Sequence, residues 1–111
     1  MQAGPLTPAM FHVLLALAGG KLHGYAIAKE VARHTEGKVR MGPGTLYGTL
    51  QRLLDQGWIA VSDAPDDVDE RRRYYRLTGL GKRTLEDEVQ RMEMLVRAAR
   101  AAEINPRSTK A

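Results

Sequence analysis

Side chains that can pair with the edges of nucleic-acid bases lie on one face of a short predicted helix. Gln51 and Arg52 carry hydrogen-bonding tips of the kind that recognise base edges bidentately. Gly44, Thr45 and Gly48 share this polar face and are small enough to let a helix sit deep in a groove. The opposite face is apolar at helical spacing, through Leu46, Leu50, Leu53 and Leu54. The pattern predicts a helix that packs by one face and contacts DNA with the other; an ordinary amphipathic surface helix is the alternative.

Recognisable start and stop signals delimit this helix and the two before it. Gly42 and Pro43 suit its N-cap and first position, and Gly57 suits the left-handed residue that ends a helix. A first helix is predicted between Thr7 and Gly19, and a second helix from Gly24 to Thr35. The chain therefore starts with three helices in succession.

After the third helix the pattern changes to short segments rich in β-forming residues. Residues 58–62 and 73–77 predict two strands, and the polar, acidic loop at 63–72 predicts a projecting wing between them. A long helix follows from about Leu80 to Glu103. This order predicts a mainly α (α+β) fold, a winged helix-turn-helix with an additional C-terminal helix.

The long helix carries a heptad seam at Leu85, Val89, Met92, Val96 and Ala99. Two heptads are too few for a stable isolated coiled coil, so the seam needs support from the rest of the domain. The first helix is apolar around nearly its whole circumference, which predicts burial on more than one side. We therefore expect a homodimer in which Met10 and Leu14 join the seam at the interface. The predicted units are a winged helix at 1–78, a dimerisation helix at 79–104 and a polar tail at 105–111.

Composition limits the classes of function. With 111 residues the chain is expected to form one domain, or one small domain plus an appendage. The absence of cysteine excludes disulfides and thiolate metal sites. The net charge is +4, and outside the acidic loop the chain is clearly basic, which favours a polyanionic partner over the alternative of a merely solvated surface. No stretch is long and apolar enough to span a membrane, and we expect a cytoplasmic protein.

Enzymatic and metal chemistry find little support. The acidic loop has no histidine or serine partner, and Gly42-Pro43-Gly44 lacks the Lys-Ser/Thr that follows in a phosphate-binding loop. The histidines are evenly spaced, but none is followed by a second ligand three or four residues later. We expect no catalytic residues, no metal site and no cofactor.

Three blocks of sequence resemble the PadR-like family of transcriptional regulators. Leu22-His23-Gly24-Tyr25-Ala26-Ile27 resembles its hGY-x-I/L signature, and residues 44–59 resemble its third helix and first strand. Residues 73–81 resemble the second strand and the entry to the last helix. The sequence is similar to the short members, with a single C-terminal helix. It departs from the family at Gly48, where a proline is frequent, and in its acidic wing tip.

The resemblance implies a homodimeric repressor that binds operator DNA, and a small aromatic effector that could bind near the dimer interface. Tyr47 is then expected to reach a phosphate with its hydroxyl, with a plain core position as the alternative. His23 and Tyr25 lie at the start of the second helix, where free N–H groups favour a phosphate, although packing is an equal alternative for Tyr25. Further phosphate contacts are expected from basic residues at helix starts and at the wing base: Lys21, Lys38, Arg40, Arg71, Arg72 and Arg73.

Two other functions compete with this prediction. A winged helix can serve as a protein–protein interaction module that does not bind DNA, with the acidic wing as its docking surface. A metabolite-sensing regulator with a pocket between the dimer helices is the third reading. The polar face at Gly44, Gly48, Gln51 and Arg52 favours DNA, because a docking module does not need a helix face that fits into a groove.

Overall fold

The computed structural model describes residues 6–63 and 72–107. The helices are α1 (Pro8–Leu17), α2 (Gly24–His34), α3 (Pro43–Gln56) and α4 (Gly79–Ala101). The strands are β1 (Leu22–His23), β2 (Ile59–Ser62) and β3 (Tyr74–Leu77). The predicted order of three helices, a hairpin and a long fourth helix is confirmed, as is the mainly α fold class. Most of the predicted wing, including Arg71, lies outside the described residues.

Local signals set the helix ends. The Thr7 hydroxyl accepts a hydrogen bond from the Met10 N–H at 3.2 Å, and the Thr78 hydroxyl accepts one from the Gly81 N–H at 3.0 Å. Pro43 occupies the first turn of α3, and Gly57 ends that helix in the left-handed region with φ of 77°. Because each signal acts within a single turn, the helix boundaries could be predicted closely.

The sheet has three antiparallel strands in the order β1-β3-β2. Tyr75 in the central strand pairs with Leu22 on one side and with Val61 on the other. The sequence did not predict β1, because two residues are too few to show any alternation. The other strands each start one residue later than predicted, at Ile59 and Tyr74.

The N-terminal helices and the sheet share one hydrophobic core. Its fully covered members include Val13, Leu14, Leu17, Ile27, Val31, Leu50 and Leu53. Leu85 of α4 belongs to the same cluster. Burial of this apolar surface is the main stabilising contribution to the fold.

Leu14 faces the core of its own protomer, so its predicted place in a dimer interface is wrong. The side chain is 0% exposed, and Met10 is partly buried against the same cluster. The outward side of α1 instead carries Leu15, which is half-buried. An apolar helix has no polar side to mark the outward direction, and only packing against α2 and α3 decides which face turns inward.

The first half of α4 is fixed to the winged helix. The Thr78 N–H donates to the Trp58 carbonyl at 3.1 Å, and the Thr78 hydroxyl donates to the Gly57 carbonyl at 2.7 Å. Gly81 lies so close to the Trp58 carbonyl that a Cβ there would clash with it. The division between residues 78 and 79 stays a prediction, and the core continues past it into α4.

Glu88 is a buried carboxylate on α4, 6% exposed. Arg91, one turn later, donates to it at 2.6 Å, and this hydrogen bond lowers the pKa of the Glu88 carboxyl against the opposing effect of burial. The charge is therefore paired within the helix itself.

Helix length and polarity bear on membranes. The most apolar helix, α1, has 10 residues, and α4, with 23 residues, is rich in charged side chains. Nowhere in 6–63 or 72–107 is there a helix that is both long and apolar enough to cross a bilayer.

Candidate nucleic-acid interface

A line of four residues runs along the outward side of α3. Gly44, Gly48, Gln51 and Asp55 follow one another at intervals of four, three and four, which places them on one face. All four are exposed, whereas the opposite face is buried through Leu46, Thr49, Leu50 and Leu53. Thr45 and Arg52 are also exposed and lie at the side of this line. The predicted reading face is therefore present and uncovered in the protomer.

Gly44 and Gly48 make this face flat. A Cβ added at either position would meet nothing within 4 Å. Packing inside the protomer therefore gives no reason for glycine at these positions, although glycine in a helix interior costs about 1 kcal/mol relative to alanine. Without side chains at these two positions, the backbone of α3 can approach a partner closely.

Asp55 is a residue of this face that the sequence analysis missed. The Gln51 side-chain amide donates to the Asp55 carboxylate, with 2.9 Å between Nε2 and Oδ1. The spacing of four residues on a helix could have revealed the pair, because Gln and Asp at that separation are neighbours. Gln51 is thus held by a partner before any ligand arrives.

Tyr47 connects α3 to the start of α2. Its side chain is half exposed, and its hydroxyl oxygen lies only 2.5 Å from the position that a Cβ on Gly24 would take. Glycine at position 24 therefore lets the tyrosine ring lie against the first turn of α2. The hydroxyl is held beside a helix N-terminus, which is a favourable place for an anion.

His23 caps α2 and faces donors from two directions. Its Nδ1 lies 3.2 Å from the Ala26 N–H, and its Nε2 lies 3.1 Å from the guanidinium of Arg72. Burial lowers the pKa of His23, and the charges of Arg72 and Lys29 lower it further. A neutral imidazole can accept at only one nitrogen, so only one of the two donors can bond to His23 at a time. An anion placed here would accept from the other donor.

Tyr25 is exposed and not part of the core. Its side chain is 68% exposed, which removes the packing alternative left open above. Its ring lies parallel to that of His23 with centroids 6.5 Å apart, and the Lys29 ammonium is 5.4 Å from the Tyr25 centroid. Tyr25, His23 and Arg72 thus form one surface cluster at the start of α2, which we call the α2 cluster.

The other predicted basic residues lie in different surroundings. Lys38, Arg40 and Arg73 are exposed, and Arg40 folds back over Gly37. Lys21 instead lines a groove beside α4. Arg71 lies outside the described residues.

The predicted seam of α4 is covered most completely at its start. Leu85 is buried and Met92 is half-buried, but Val89 and Val96 are 38% and 47% exposed, and Leu95 beside the seam is 55% exposed. Beside the helix lies a groove of about 610 Å³, whose apolar wall includes Leu17, Leu77, Leu85 and Val89.

Metal-binding geometry is absent from the described part of the chain, where no group of three potential ligands comes together. His34 lies 3.2 Å from Glu30, one turn earlier on α2. Glu30 is also bound by Arg33 at 2.7 Å, a hydrogen bond that lowers the pKa of the Glu30 carboxyl. The pair belongs to the solvated side of α2.

Comparison with known proteins identifies similar chains. The model of the transcriptional regulator PadR-like family matches residues 13–87. Transcriptional regulator Rv3488 of Mycobacterium tuberculosis is 36% identical over 86 residues, which cover 78% of this chain and 77% of the relative. An uncharacterised 37.1 kDa protein in transposon TN4556 of Streptomyces fradiae is 40% identical over 90 residues, but the chain spans only 24% of that protein.

Solved structures share the fold. PadR of Bacillus subtilis, in complex with operator DNA, aligns with a TM-score of 0.62 at 25% identity over 72% of this chain and 45% of that chain. BpsR of Bordetella bronchiseptica, whose DNA binding is regulated by 6-hydroxynicotinic acid, aligns with a TM-score of 0.68 at 29% identity. That alignment covers 84% of this chain and 60% of the BpsR chain.

Proposed function

The chain belongs to the PadR-like family of transcriptional regulators, and from this premise we propose that it binds operator DNA as a homodimer. The observation that carries the proposal is the uncovered face of α3, with Gly44, Gly48 and Gln51 in line and Arg52 beside them. The face enters a major groove, where Gln51 and Arg52 contact base edges. The family and its relatives are regulators rather than enzymes, and the protein acts in the cytoplasm, where its DNA partner is found.

Phosphate contacts come from the α2 cluster and from Tyr47. An oxygen of the DNA backbone beside His23 accepts from the Arg72 guanidinium and from the His23 Nε2–H. The His23 Nδ1 then keeps its bond from the Ala26 N–H. The donor that His23 does not bind in the free protein finds its acceptor in this way. Lys38, Arg40 and Arg73 add affinity by displacing counterions from the duplex.

The dimer forms through the second half of α4. Leu95 and Val96 continue the stripe of Leu85 and Met92 beyond the protomer's own core. A second copy of α4 would cover them, and two α3 helices would then meet half-sites about one helical turn, roughly 34 Å, apart. We expect the half-buried Leu15 on the outward side of α1 to join this interface.

Repression follows from occupancy of the operator, which excludes the transcription machinery from overlapping DNA. A flat aromatic compound in the groove beside α4 would relieve it by changing the angle between the two winged helices. The groove volume of about 610 Å³ is in the range of small-molecule sites, and BpsR is a fold relative regulated by such a compound. In a panel of aromatic acids, a compound that binds in the groove should raise the melting temperature of the protein.

Selection of duplexes from a random library tests the main proposal. The purified protein is expected to enrich sites with two related half-sites. The affinity for the winning duplex should fall with salt at a log–log slope of about 0.9 per phosphate contacted. No enrichment, or an affinity that is flat in salt, would favour the protein–protein interaction module.

Arg52→Ala tests the base contact within the same experiment. Loss of a base-edge contact should cost about 1–3 kcal/mol on the selected duplex and little on random DNA. Arg83→Ala removes the same charge from an exposed position on α4 and is the matched control. Equal losses on both DNAs would assign Arg52 to phosphate contact instead.

A further inference from the structure

The Gln51–Asp55 pair lies in the middle of the face that meets DNA. Both side chains are exposed, and they are joined by the 2.9 Å hydrogen bond from the amide nitrogen to the carboxylate. An acid on this face is unexpected for a DNA-binding helix, because its charge repels the phosphates. The pair therefore needs an explanation other than affinity.

The chemistry of the pair fixes the orientation of the amide. An ionised carboxylate only accepts hydrogen bonds, so the Gln51 group that faces Asp55 must be the NH₂. The carbonyl oxygen of Gln51 is then turned away from the carboxylate and its lone pairs remain free. Without Asp55 the amide could rotate by half a turn and offer its donors instead.

A fixed acceptor distinguishes among bases. In the major groove adenine and cytosine present an exocyclic amine, at N6 and N4, whereas the exocyclic groups of guanine and thymine at the matching positions are acceptors. An outward-facing carbonyl oxygen can bond with the amines and is repelled by the other two. A freely rotating glutamine amide would tolerate all four.

We infer that Asp55 is a positioning residue for sequence recognition: it holds the Gln51 amide so that the carbonyl oxygen reads a base amine. The inference rests on the proposed function, since it concerns how the same helix face reads DNA. The charge of Asp55 lowers the affinity for DNA, and the fixed carbonyl oxygen disfavours guanine and thymine at one position of each half-site, which is a gain in specificity.

The test starts from the duplex that the wild-type protein selects from a random library. Each base of one half-site is changed in turn, and the affinities of wild type and of Gln51→Ala are measured for each changed duplex. Gln51 contacts the position at which a change weakens binding by wild type but not binding by Gln51→Ala. At that position an adenine is replaced by purine, or a cytosine by 2-pyrimidinone, so that only the amine is lost. Wild type should bind this duplex roughly tenfold more weakly, and Gln51→Ala should show no difference.

Variants of Asp55 then separate its role in orienting the Gln51 amide from the effect of its charge on affinity. Asp55→Ala and Asp55→Asn should bind random duplex more tightly but lose at least fivefold of the preference against guanine and thymine at the Gln51 position. An asparagine can face Gln51 with either end, so it no longer fixes the amide. Asp55→Glu keeps a carboxylate and should keep the preference. Asp87→Asn removes an exposed charge from α4 and should change neither quantity.

The outcomes distinguish this inference from the proposed function. If no duplex is enriched, the proposed function itself fails. If a duplex is selected but Asp55→Ala and Asp55→Asn keep the full preference, only the positioning role is wrong. The positioning role is also wrong if wild type binds the duplex that lacks the base amine as tightly as the selected duplex. Thermal melting of each variant verifies that the fold is unchanged.

Discussion

A substitution at Gly48 should raise the stability of the protein and weaken its binding to DNA. Its position is open, so Gly48→Ala should stabilise α3 by up to about 1 kcal/mol. The added methyl group would hold the helix away from the groove floor and weaken DNA binding. Thermal melting and fluorescence anisotropy on the selected duplex measure the two effects.

Gly79→Ala is the matched control for this prediction. Gly79 begins α4, and a Cβ there also meets nothing within 4 Å. The substitution should leave DNA binding unchanged. Unchanged binding by Gly48→Ala as well would mean that the glycine face does not enter a groove.

His23 makes stability depend on pH. Its pKa is lowered below the ordinary value of 6.5, so the unfolded chain binds the proton first as the pH falls. The stabilising contribution is therefore complete above about pH 6.5 and is lost as the pH falls through the folded-state pKa. Protonation also removes the acceptor for the Ala26 N–H. Melting temperatures between about pH 7.5 and pH 5 should decrease accordingly.

His23→Asn isolates this effect. Asparagine is a good N-cap and does not titrate, so the cap is kept while the proton site is removed. The other histidines are present in both proteins, and their contribution cancels in the comparison. If the variant loses stability on acidification as steeply as wild type, His23 is not the responsible group.

At the scale of elements, α4 meets the turn after α3 at Gly81, which has the tightest backbone contact of the glycines in residues 6–63 and 72–107. Gly81→Ala would push a methyl group into the Trp58 carbonyl, which belongs to rigid backbone. The expected destabilisation is about 1–3 kcal/mol, the range for overpacking. Denaturant unfolding measures it, with Gly79→Ala two residues earlier as the comparison. Equal stability of the two variants would show that α4 can shift at no cost.

The heptad seam of α4 illustrates what an element can and cannot reveal. Its spacing was visible in the sequence, but the spacing does not say which partner covers which turn. The structure covers Leu85 with the protomer's own core and leaves Leu95 and Val96 exposed. Glu88 was not expected in a buried position, and it is tolerated there because Arg91 on the same helix neutralises it.

At the scale of the whole molecule, dimerisation should determine operator affinity. Val96→Glu would place a charge in the uncovered stripe and is expected to give a monomer in sedimentation equilibrium. The monomer should bind a single half-site normally but lose the added affinity for two half-sites on one duplex.

Met94→Glu adds the same charge on a different side of α4. Met94 is two residues from Val96, about 200° around the helix, and is also exposed to solvent. It should remain dimeric. Dissociation by both variants, or by neither, would contradict an interface on the Val96 side.

The sequence by itself determined the helices and their ends. The caps at Thr7 and Thr78, Pro43 at the start of α3 and Gly57 at its end each act within one turn, so neighbouring residues suffice to specify them. The line of Gly44, Gly48 and Gln51 was equally readable, because residues on one helix face follow from helical geometry alone.

Only the tertiary structure decided the relations between distant residues. Strand β1 exists because β3 offers it an edge, and His23 meets Arg72 across 49 positions of sequence. Leu14 turns inward because α2 and α3 supply the apolar surface on that side. Such contacts depend on how helices pack, and packing is set by the summed burial of many side chains, which no single stretch of sequence contains.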